Sequence, residues 1–105
     1  MSVIFEVIDP LGNIIVLTEE RWMHIIDQHP ELADNLDMVR LTLIEPNVIQ
    51  ELEPESELRY YRLCPEIISR GYLFVAVIKA HNNFVATAFP IRYIRKEGEL
   101  KWLKR

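Results

Sequence analysis

The side chains best placed for chemistry are polar residues standing where the surrounding pattern asks for apolar ones, because burying them has a cost unless something compensates. Lys79 closes the run Tyr72-Leu73-Phe74-Val75-Ala76-Val77-Ile78, and Thr87 is the one hydroxyl in Phe84-Val85-Ala86-Thr87-Ala88-Phe89. His24 and His29 flank an apolar helical stripe of Trp22, Ile25 and Ile26, and Arg59 shares a strand parity with Tyr61. A set of His, Lys, Arg, Thr and Tyr suits metal-free phosphodiester chemistry. In such chemistry a general base activates a ribose 2′-hydroxyl and cations stabilise the charged transition state. Other chemistries lack their residues. The chain has no GxGxxG, no glycine phosphate loop and no HExxH. Its two helix histidines, five residues apart, diverge by about 140° around a helix. No metal site and no cofactor are therefore expected. Each residue also has a plainer role: Lys79 as a solvated strand end, Thr87 as a pleat filler, His29 before Pro30 as a helix terminator, and the tyrosines as packing.

The elements that must position these groups follow from periodicity. Residues 3–8 and 14–17 read as strands around the turn-rich Asp9-Pro10-Leu11-Gly12-Asn13, so a hairpin opens the fold. Thr18 is a suitable N-cap, and Glu19 and Glu20 suit the positive end of a helix dipole. A helix thus starts at Glu19 and runs to His29, where Pro30 stops it. A second helix is expected from Glu31 or Asn35 to Ile44, ended by Pro46. Residues 58–63, 72–80 and 84–94 read as strands, with Pro90 marking a bulge or a lapse in pairing, and Leu100, Trp102 and Leu103 as a short edge strand. The class is α+β, with two N-terminal helices packed on one face of an antiparallel β-sheet. If the turn at His81-Asn82-Asn83 has odd length, Val77 faces Thr87 and Lys79 faces Val85. Lys79 and Thr87 then share a face as diagonal neighbours about 7–8 Å apart, whereas a two-residue loop separates them.

The 105 residues, 50% of them hydrophobic, form a single domain over 1–105 with one core. No apolar run approaches the roughly 20 residues that span a bilayer, and the N-terminus lacks a basic segment and a cleavage site, which points to a cytoplasmic chain with no membrane partner. The lone Cys64 excludes an internal disulfide and reads as structural. The net charge of -4 conceals an asymmetry. Residues 1–57 hold two basic and thirteen acidic side chains, 2 - 13 = -11, while residues 58–105 hold ten basic and three acidic, 10 - 3 = +7. Such a chain either presents a positive face to phosphate, built from Arg59, Lys79 and Arg92, or lets its two halves attract one another.

An ordered set of these residues resembles a known family. Arg21-Trp22-x-His24-Ile25-x-x-x-His29-Pro30-Glu31, a helix ending in Glu45-Pro46, the Tyr60-Tyr61 strand, Val75-x-Val77-x-Lys79 and Phe84-Val85-x-Thr87-Ala88-Phe89 look like the phage-type nucleases of the barnase/EndoU/colicin/RelE-like superfamily. The resemblance spans roughly residues 5–92. It implies toxin-like or phage-associated RNA cleavage without metal, through a 2′,3′-cyclic phosphate. On the matching positions it implies a catalytic histidine (His24, with His29 as rival), Lys79 and Thr87, with Arg59 or Tyr61 as an auxiliary. Arg92 joins Arg59 and Tyr61 as a substrate-binding candidate. The implied partners are RNA, whether tRNA or ribosome-bound, and a cognate inhibitor protein. The competing reading is a non-catalytic interaction module of the same fold, whose basic face binds an acidic protein.

Overall fold

The structure, a computed structural model, describes residues 2–53, 56–80 and 82–105. The chain opens with the expected hairpin, β1 (Val3–Ile8) and β2 (Ile14–Thr18). Helix α1 (Glu19–Gln28) follows, its first turn closed by the Thr18 hydroxyl accepting from the Arg21 amide at 3.3 Å. A short 3-10 turn (Pro30–Leu32) links it to α2 (Leu36–Ile44). Five further strands complete the described fold: β3 (Val48–Leu52), β4 (Glu57–Leu63), β5 (Tyr72–Ile78), β6 (Asn83–Ile91) and β7 (Glu99–Leu103).

The α+β class holds, but the antiparallel sheet with two N-terminal helices does not. The described strands form one seven-stranded mixed sheet in the order β1-β2-β6-β5-β4-β3-β7. It is mixed because β2 lies parallel to β6, through Ile15↔Asn83 and Val16↔Phe84. The two helices cross from β2 to β3 over one face, so they sit inside the strand order and not ahead of it. Strand β3 is the element the sequence concealed. Gln50 and Glu51 beside Glu-rich residues imitate a loop, yet four of its five residues are buried, flanked by β4 and β7.

One face carries the main core. Ile15, Leu17, Trp22, Ile25, Leu32, Val39, Leu43, Ile49, Leu58, Tyr60, Leu73, Val75, Val77 and Val85 pack together there between helices and sheet. Asp9, just past β1, is buried beside this core. The carboxylate accepts from the Leu11 and Asn13 amides at 2.9 and 2.8 Å, and from the buried Tyr60 hydroxyl at 2.5 Å, so the hairpin turn is tied to β4. The opposite, open face carries a smaller cluster of Val48, Tyr61, Phe74 and Ala76, with Tyr72, Phe89, Ile91 and Ile94 at its margin. No helix among the described residues is long and apolar enough to cross a membrane.

Candidate functional site

Register decides which candidate side chains meet. Residues directly opposite across a sheet share a face, and two successive rows run across the open face. One reads Gln50↔Arg59↔Ala76↔Thr87 from β3 to β6, and the next Val48↔Tyr61↔Phe74↔Phe89. Arg59, Tyr61 and Thr87 therefore share this face, with an aromatic floor running from β4 to β6. The Tyr61 and Phe74 rings are 5.1 Å apart, and those of Phe74 and Phe89 4.8 Å. The Arg59 guanidinium lies 5.6 Å from the Phe74 centroid and that of Arg95 5.9 Å, distances at which a cation is attracted to the ring. Burial is the main cause that pushes the Tyr61 phenol up in pKa, which keeps it a protonated donor.

His29 belongs to this face and His24 does not. Because β2 pairs only with Asn83 and Phe84, the rest of the outer edge of β6 carries no strand among the described residues. The end of α1 lies there. His29 caps the helix, its amide donating to the Ile25 carbonyl at 2.8 Å, and its ring stacks on Phe89 at 5.4 Å with 30° between planes. Its Nδ1 is 3.8 Å from a Glu31 carboxylate oxygen. His24, exposed on the outer side of α1 among Glu20, Arg21 and Asp27, lies 3.5 Å from the Gln28 amide nitrogen.

Lys79 and Thr87 are on opposite faces. Ile78 pairs with Phe84 and Val77 with Val85, but the next pair is Ala76↔Thr87, so Ala86 is an extra residue on β6. This bulge reverses the side on which Thr87 falls. His81, in the turn whose length fixed the expected pairing, lies outside the described residues. Beyond the end of β5, the Lys79 ammonium donates to Glu51 Oε2 at 2.6 Å. Glu51 pairs with Leu58 of the main core, so this contact is made on the helix-bearing side. Arg92 is exposed in the bend just past β6.

Arg59 is already engaged: its Nε reaches Glu57 and its Nη1 reaches Glu97. Those carboxylates raise its pKa against the lowering effect of burial, the largest single influence, and fix the guanidinium as a permanent cation. Segment 94–98 supplies Glu97 and Arg95, two contributors that alternation along the strands had no means of reaching. Gly98 brings the segment down onto the sheet at a φ of +69°. Among the described residues no group of three or more His, Cys, Asp or Glu side chains is arranged to hold a metal ion. Comparisons with protein-family models, curated proteins and solved structures find no match to this chain.

Proposed function

We propose that the open sheet face is the site of a metal-independent endoribonuclease, of the kind that the barnase/EndoU/colicin/RelE-like resemblance implies. The observation that carries this reading is His29, stacked on Phe89 in the strand that also presents Thr87, one row from Arg59. RNA cleavage by transesterification removes a proton from a ribose 2′-hydroxyl and delivers one to the departing 5′-oxygen. The 2′-oxygen bonds to phosphorus as the P–O5′ bond breaks, leaving a 2′,3′-cyclic phosphate and a 5′-hydroxyl. Imidazole is the side chain suited to exchange such a proton near neutrality, and it reaches this face from His29. Thr87 offers a hydroxyl to a non-bridging oxygen. Arg59 and Arg95 stand over Phe74 as cations for the charge that develops on phosphorus.

A second reading, the non-catalytic interaction module, is favoured by one observation: Glu57 and Glu97 already neutralise Arg59, so phosphate must displace a carboxylate to reach it. Purified protein incubated with total RNA in chelator, with end-group analysis for cyclic phosphate, separates the two. The nuclease reading expects cyclic ends, a loss of about 10²- to 10⁴-fold in His29→Ala from removing the proton-transfer group, and a near-normal His24→Ala. The reverse ranking returns the role to His24. Absence of cleavage in every RNA offered leaves the interaction module.

A further inference from the structure

Between β3, β7 and segment 94–98 lies a groove of about 580 Å³, on the same face as His29 and continuous with the Arg59 site through Glu97. Its walls are apolar, with Val48, Ile94 and Leu100 prominent, and Arg95 and Lys96 bring positive charge to it. One wall residue is anomalous. Gln50 is 7% exposed, and its Nε2 donates to the Arg95 carbonyl at 2.6 Å, which orients the amide with its oxygen away from that carbonyl. That oxygen, Oε1, is buried and accepts no hydrogen bond from any described residue. Native proteins seldom leave a buried acceptor in this condition, because its lost hydration is not replaced.

We propose that this groove is a nucleobase subsite in which Gln50 Oε1 accepts from an exocyclic amine, so that beside the cleaved phosphate the protein prefers a base that carries one there, as adenine and cytosine do, to one that does not, such as uracil. The inference rests on the nuclease reading and adds base choice to it. One of the amide's two N–H groups is committed to the Arg95 carbonyl, and the oxygen is the atom left without a partner; it matches an amine on a base edge and repels a carbonyl placed there. Apolar walls suit the faces of a base, and the volume falls in the range of small-molecule sites. Arg95 and Lys96 face the phosphates on either side of the base.

The test uses 2′-O-methyl oligonucleotides, which lack the attacking hydroxyl and so report binding without cleavage. Adenine tracts are compared with purine tracts lacking the 6-amine, and cytosine tracts with uracil tracts. Wild-type protein is expected to bind the amine-bearing member of each pair about tenfold more tightly, the usual consequence of leaving one buried acceptor unmatched. Gln50→Met is expected to abolish that difference. Equal affinity within both pairs for the wild type overturns the subsite, and this comparison needs no variant to fold. Cleavage of ordinary RNA in chelator is measured alongside. Cleavage without base preference overturns the subsite alone, whereas preference without cleavage supports the subsite and overturns the nuclease reading.

Discussion

Lys79 was legible as a residue out of pattern, and its partner was not. An ammonium after seven apolar residues must find a carboxylate or water, but only the fold shows that it finds Glu51, 28 positions earlier. Lys101 reaches the other oxygen of the same carboxylate at 3.4 Å. Lys79→Met is therefore expected to lower stability by about 1–3 kcal/mol, the scale of a hydrogen bond to a charged group, and to leave RNA cleavage unchanged. Urea denaturation and cleavage rates on the same preparation check both. A large loss of cleavage at intact stability would return Lys79 to the site. Tyr60 is the second residue whose surroundings have a measurable consequence. Burial, and then the Asp9 carboxylate, raise its phenol far above the ordinary tyrosine value. A phenol whose pKa is higher in the folded chain contributes stability that is fully present below the unfolded value of about 10 and is lost as pH rises above it. Wild-type stability is thus expected to fall between pH 9 and pH 11. Tyr60→Phe should fall less over that interval, since the variant has no proton to lose at this position, and equal falls would show that other groups dominate.

At the scale of elements, the first helix was readable almost to the residue, because Thr18, the paired glutamates and Pro30 are local signals with local causes. Strand β3 and the bulge at Ala86 were not, for different reasons. The burial of Gln50 and Glu51 is imposed by flanking strands remote in sequence. A bulge adds one residue and inverts parity without any compositional mark, so alternation along Phe84–Phe89 put Thr87 on one face with Lys79, whereas the two lie on opposite faces. Gly98 is an element-scale feature with a sharp test. A Cβ added there would collide with the Glu51 carbonyl oxygen and Leu52, in a backbone conformation that L side chains rarely adopt. Gly98→Ala is expected to cost roughly 1–3 kcal/mol and to lift segment 94–98 away from Gln50 and Arg59. Thermal melts read the first effect, and binding of the 2′-O-methyl oligonucleotides reads the second. Unchanged values in both would mean that the turn relaxes without cost.

Across the whole molecule, the charge asymmetry resolves as attraction between the halves at the residues that matter most. Glu51 holds Lys79 and Lys101, and Glu57 holds Arg59. The expected positive patch does not gather: Arg59 and Lys79 are on opposite faces. Net charge and its partition could be read from the sequence, but which acid meets which cation depends on strand order. That order has a further consequence, for time. The meander β4–β5–β6 is built from neighbours in the chain, whereas β2 must find β6 across some 67 residues and β3 must find β7 across about 50. Closing loops of that size costs entropy before any contact repays it. The meander should accordingly form first and the N-terminal hairpin dock late, held to the sheet edge by two paired residues. Hydrogen exchange is expected to show β1 and β2 amides opening more readily than those of β5; equal protection throughout would indicate a single cooperative unit. Until the hairpin docks, the Asp9–Tyr60 bond cannot form and the parallel edge of β6 stays open. A chain whose hairpin has not docked is expected to leave the Asn83–Phe84 end of β6 unpaired as well, and self-association during refolding is expected to be greatest at that stage.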